Sequence, residues 1–207
     1  MSETVTIANG FAEVGAGTWL TGRGQPTAFF GTAVRRRRTG WFLRDRAALD
    51  LVETTGAAWC AAAARPFLTH IPCAAPITAV SAKVLVAPAA AWRGAELVKV
   101  IPMSVRGAFG VTRFEQAWLV TATASRTARV AVADGDTLSV RPEAVVAWTG
   151  NRPTGFVRRL GLWDVLLPRA PRDLLLHFHG PCIVWIEGSP SLPTSKLPNF
   201  TRRAYGI

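Results

Sequence analysis

Two clusters in this chain carry side chains at spacings suited to chemistry. His177-Phe178-His179 sets two imidazoles on one face of an extended strand. Such a pair can begin a metal site, but a catalytic metal needs about three protein ligands. Ile183 and Val184 stand where a nearby carboxylate would be wanted, Glu187 lies further on, and His70 would have to arrive from another strand. The plain alternative is two histidines satisfied by hydrogen bonds. Arg35, Arg36, Arg37 and Arg38 lie between Phe29-Phe30 and Trp41-Phe42. Cations interleaved with aromatics can track phosphates and stack bases, or sit on an anionic lipid surface with Trp41 and Phe42 at the interface. The alternative is a solvated hairpin tip whose flanking aromatics are core.

Other chemistry finds little footing. Asp134 and Asp136 flank a turn, Asp45 and Asp50 sit among arginines, and no Gly-x-Ser-x-Gly elbow occurs. Cys60 lies in an Ala-rich strand with no nearby His, which reads as an inert buried thiol. Gly15-Ala16-Gly17 and Gly22-Arg23-Gly24 are not followed by a helical pattern, which argues against a phosphate loop or dinucleotide fingerprint. No RNA-binding or zinc-finger signature is present. The expectation is a protein that is not an enzyme and holds no cofactor.

The elements around these residues read as strands. The 207 residues are 49% hydrophobic and 18% charged, with a formal net charge of +11. That length and composition suit one domain with a core of its own. Eighteen Gly and 14 Pro punctuate short apolar segments, many alternating with period two. In Thr127–Val140, Val130 and Val132 precede a tight turn at Asp134-Gly135, and Leu138 and Val140 resume the apolar face. Val5 with Ile7, Val84 with Val86, and Ile183 with Trp185 alternate similarly. The best helical candidate, Arg44–Leu51, is short. The chain is expected to be all-β.

Internal similarity sharpens this. Ala91-Trp92-Arg93-Gly94 matches Ala147-Trp148-Thr149-Gly150, with Thr18-Trp19-Leu20-Thr21-Gly22 as a third version. Gly56–Trp59 resembles Glu115–Trp118, and Gly180–Trp185 is a degenerate third copy. Three units of roughly sixty residues follow, one of them split between the chain ends. A single unit cannot bury its apolar face; three around a pseudo-axis can, with the termini closing the last edge. The expected fold is a double-stranded β-helix or β-sandwich with pseudo-threefold internal repeats. It would occupy residues 1–188 as a single domain, followed by a Pro-rich extension at 189–207.

Ala12-Glu13-Val14-Gly15-Ala16-Gly17-Thr18-Trp19-Leu20-Thr21-Gly22 resembles the N-terminal signature of the altered-inheritance-of-mitochondria protein 24 family, with Val14 in place of a Pro and Gly17 in place of a Met. Leu138–Gly150 is similar to that family's later strand, and Leu174–Glu187 to its C-terminal strand pair. Residues 65–102 are poor in the usual Gly-rich turns, and Pro168-Arg169-Ala170-Pro171 replaces a Gly-x-Gly. The resemblance implies a β fold similar to the tryptophan-RNA-binding attenuator superfamily, with no established catalytic residues. Its fungal members are mitochondrial and support inner-membrane organisation.

Three functions follow as expectations. The first is a non-enzymatic scaffold or assembly protein, forming a homo-oligomer or meeting a protein partner. The second is an RNA, DNA or anionic-surface binder acting through the basic hairpin 35–42. The third is a cupin-like metalloenzyme built on His177 and His179, since cupins share the double-stranded β-helix. With no leader-like N-terminus and no long apolar run, the expected location is cytoplasmic, with mitochondrial as the alternative.

Overall fold

The computed structural model describes residues 5–22, 27–31, 35–38, 49–62, 67–98, 109–115, 118–157 and 174–188. Among them the regular structure is strands and three short 3₁₀ turns, arranged in four antiparallel sheets. Sheet I orders β1 (Thr6–Ala8), β2 (Phe11–Val14), β7 (Ala58–Ala62) and β4 (Thr27–Gly31). Sheet II orders β5 (Arg35–Arg38), β6 (Leu49–Thr54), β3 (Gly17–Gly22), β10 (Val84–Pro88), β13 (Trp118–Thr123) and β8 (Phe67–Pro72). Sheet III orders β11 (Trp92–Val98), β12 (Phe109–Phe114), β9 (Ile77–Val80), β16 (Val145–Thr149), β19 (Cys182–Glu187) and β14 (Thr127–Val132). Sheet IV orders β15 (Thr137–Val140), β18 (Leu174–His179) and β17 (Thr154–Val157).

The strand order carries the pseudo-threefold repeat. Every strand of sheet III is the sixth along the chain after the strand in the same place in sheet II. The same step leads from β9, β11 and β12 to β15, β17 and β18 of sheet IV. Taken backwards, it leads from β8, β10 and β13 to β2, β4 and β7 of sheet I. Sheets I and IV are therefore the two halves of a third six-stranded sheet. The expected closure is not made by hydrogen bonds: β10 pairs with β3 and β16 with β9, but β4 and β15 belong to separate sheets.

Three apolar cores lie between successive sheets. Val14, Trp19, Val52, Cys60, Leu85 and Val120 fill the space between sheets I and II. Leu20, Leu49, Ile71, Phe114, Leu119 and Trp185 fill that between II and III. Val111, Val145, Trp148, Leu176, Phe178 and Val184 fill that between III and IV. Sheets II and III are thus covered on both faces, and neighbouring residues serve different cores, as Trp19 and Leu20 do. In β10, Leu85 and Val86 both reach the first core because the pairing with β13 is irregular there. The Trp19 indole N–H donates to Thr54 Oγ1 at 2.9 Å, so its polar edge is satisfied inside the core.

Several local expectations are corrected. The Asp134-Gly135 turn forms, with Gly135 at φ 80° and Asp136 N–H donating to Ala133 O at 3.1 Å. Its flanking strands do not pair with each other, however: β14 pairs with β19 and β15 with β18, so the turn carries the chain from sheet III to sheet IV. Within the helical candidate, Leu49–Leu51 is strand, and 44–48 lies outside the described residues, as does the 189–207 extension. The Trp19, Trp92 and Trp148 segments fall on β3, β11 and β16, which are not repeat equivalents. Trp92 is 37% exposed whereas Trp148 is 1% exposed. The second element does track the repeat, since Trp59, Trp118 and Trp185 sit on β7, β13 and β19.

A buried ion pair ties the crossings between sheets together. Lys83, in the 3₁₀ turn Ser81–Lys83 between β9 and β10, donates to Glu187 Oε2 at 2.7 Å and to the Glu143 carbonyl at 2.6 Å. Glu187 Oε1 accepts from the amides of Ala124 (2.6 Å) and Ser125 (3.1 Å). Burial alone would raise the Glu187 pKa; the Lys83 hydrogen bond and charge, with the two amides, outweigh it and hold the group below its ordinary value. A lowered folded-state pKa gives stability that is complete above the ordinary glutamate range and is lost as pH falls through the folded value. Acid unfolding followed by circular dichroism should therefore be steeper for the native protein than for Glu187→Gln. Lys83→Met, which strands the carboxylate, should cost roughly 2–3 kcal/mol in urea melts near neutral pH, after allowing for solvent near Glu187.

A second prediction concerns Gly22, where β3 passes the Ser81–Lys83 turn. A Cβ there would strike the Ser81 carbonyl oxygen, a backbone atom that cannot swing aside. Gly22→Ala should lower stability by about 3 kcal/mol or more, read from the same urea melts.

Candidate functional site

The four arginines form strand β5 at the edge of sheet II, not a hairpin tip. Its register with β6 sets Arg35 opposite Glu53, Arg36 opposite Val52, Arg37 opposite Leu51 and Arg38 opposite Asp50. Acidic residues thus stand across from both ends of the basic run, a fact the linear sequence hides. Trp41 and Phe42 lie outside the described residues.

His177 and His179 share one face of β18, as the spacing predicts. Their surroundings are hydroxyls. His177 Nδ1 lies 3.0 Å from Ser139 Oγ; His179 Nδ1 lies 3.2 Å from Thr137 Oγ1, and its Nε2 lies 3.4 Å from Thr154 Oγ1. Among the described residues no three His, Cys, Asp or Glu side chains gather at metal-binding distances. His70 is not brought to the pair: it lies on β8 in sheet II, its ring 6.1 Å from that of Trp118.

The free thiols are shielded. Cys60 and Cys182 are buried and Cys73 is half-buried. Burial pushes the Cys60 and Cys73 thiols up to about 12 and raises that of Cys182.

Sequence reasoning missed two surfaces. The first is the outer face of sheet I. Each β7-type strand turns one side toward the following sheet: Ala58 and Cys60 of β7, Leu119 of β13, Cys182 and Val184 of β19. The other side of β13, with Val120 and Ala122, packs on sheet I, and that of β19, with Trp185, packs on sheet II. The other side of β7 carries Trp59, 42% exposed. Register sets Trp59 between Glu13 and Phe30, and Phe30 is 55% exposed. Phe11, 37% exposed, meets the Phe30 ring edge-on at 6.2 Å. The outer face of sheet IV, by contrast, presents the histidines and their hydroxyl partners.

The second surface is a groove of about 580 Å³ on sheet III and its adjoining loops. Arg93, Arg113 and Arg152 line it, with Gly94 and Gly150 of the two Trp-Gly elements. Those elements are not repeat copies; they contribute to the same groove. Three arginines so far apart in sequence leave no local signal.

The sequence matches no protein-family model and no curated protein. Among solved structures, the chain is similar to a Streptococcus pyogenes protein determined by X-ray crystallography, at 11% identity and a TM-score of 0.63. The match covers 90% of this chain and 93% of that one. At this identity the likeness shows the fold alone: an all-β arrangement of antiparallel sheets. No described helix is long and apolar enough to cross a membrane.

The thiol environments yield a direct test. With thiols held protonated by burial, labelling of the native protein by an aromatic disulfide reagent at mildly alkaline pH should be slow at Cys60 and Cys73. In denaturant all three cysteines should react rapidly.

Proposed function

We propose that the protein is a non-catalytic, β-rich assembly module that associates with a second copy of itself through the outer face of sheet I. One observation carries this reading. Phe11, Phe30 and Trp59 stand exposed on a face whose counterparts in the other two repeats are core. Contiguous exposed aromatics mark interaction surfaces in soluble proteins. The two ends of the stack differ in kind: sheet IV presents His177 and His179 with their hydroxyl partners, whereas sheet I presents large rings. A flat face meeting its own copy about a twofold axis gives a closed dimer and leaves no further face to propagate.

The resemblance to the altered-inheritance-of-mitochondria protein 24 family supports the same reading, since that family has no established catalytic residues. Membership of the family is part of the proposal.

Light scattering coupled to size exclusion tests it. The native chain should run as a dimer and Phe30→Ser/Trp59→Ser as a monomer with an unchanged far-ultraviolet spectrum. A native protein that stays monomeric at every accessible concentration would overturn the proposal, as would a double variant that stays dimeric.

A further inference from the structure

We infer that the groove on sheet III is a binding site for a small phosphate-bearing ligand of nucleotide size. Its volume, about 580 Å³, lies in the range of ordinary small-molecule pockets. Its charge is lopsided. Arg93, Arg113 and Arg152 line it, and Glu96 is the one lining carboxylate.

The three guanidinium groups are placed differently. Arg93 is fixed: its Nε donates to Glu115 Oε2 at 2.9 Å, and its Nη1 donates to the carbonyls of Ala90 (3.1 Å) and Trp92 (3.2 Å). Nη2 remains for a ligand. Among the described residues Arg152 has only a long contact, 3.9 Å, to Glu96. Arg113 is exposed and makes no hydrogen bond or ion pair among the described residues.

Strand register explains the Arg113 position. Across β11 it faces Gly94, which has no side chain, and across β9 it faces Thr78. Gly94 sets no side chain beside Arg113 on one side, and Thr78 is its register partner on the other. One anchored arginine, one unpaired arginine and one weakly held arginine around a partly apolar groove suit a multiply charged oxyanion. Arginine forks bind phosphate oxygens in pairs, which a lone carboxylate would use less fully. The net charge of +11 favours the approach of any such anion.

Isothermal titration at fixed ionic strength tests the inference, with pyrophosphate and ATP as probes and adenosine and sulfate as controls. Saturable one-to-one binding of ATP or pyrophosphate is expected. Arg113→Gln should weaken it by about tenfold or more, while replacing Arg35–Arg38 by Ser should leave it unchanged. Because Arg113 is exposed, its variant should keep the native melting curve, and that measurement accompanies the titration. No saturable heat with either probe, or equal binding by sulfate, would overturn the site. So would undiminished binding by Arg113→Gln. The site lies on sheet III and the aromatic face on sheet I, so the oligomeric state is not expected to change the result.

Discussion

Burial of sheets II and III on both faces is the constraint on which the remaining structure depends. A sheet with a core on each side has little room for polar side chains in its inner strands, and the buried ones there are mostly threonines, such as Thr21, Thr112, Thr121 and Thr123. β13 passes its residues alternately to one core and to the next, and β10 and β16, each with an irregular register, divide theirs between two cores. Some of the polar groups admitted close on one another, as the Trp19 indole does on Thr54 and Lys83 does on Glu187. The pair sits where the chain crosses between sheets, where backbone groups would otherwise lack partners.

The same constraint explains what the sequence could and could not reveal. A strand with one covered side alternates, and β14 is legible for that reason: Val130 and Val132 are buried and Arg129 and Ala131 exposed. Two-sided strands such as Val145–Trp148 read as plain apolar runs, and the expected alternation of Val84 with Val86 misleads, since the two serve different cores. The β class and the sixty-residue repeat are visible because turns and apolar runs recur at that spacing: β6, β12 and β18 begin at Leu49, Phe109 and Leu174. The tryptophans were poorer guides. Trp92 and Trp148 share local neighbours but occupy different strand classes, and a side chain's burial depends on what lies across the sheet.

Candidate sites were legible only where they were local. The shared face of His177 and His179 follows from strand geometry, but their hydroxyl partners on β15 and β17 do not. The basic run at Arg35–Arg38 is plain in the sequence; its alignment with Glu53 and Asp50 needs the β5–β6 register. The arginine groove and the aromatic face of sheet I gather residues from distant segments. No window along the chain displays either.

The strand order also means that the repeats are interleaved. Sheet II draws its first strand from Gly17–Gly22 and its last from Trp118–Thr123, and sheet III has already received β9, β11 and β12 by then. A cut between β9 and β13 severs both sheet II and sheet III. The architecture looks modular, yet its parts are inseparable, so it must be gained or lost as a whole.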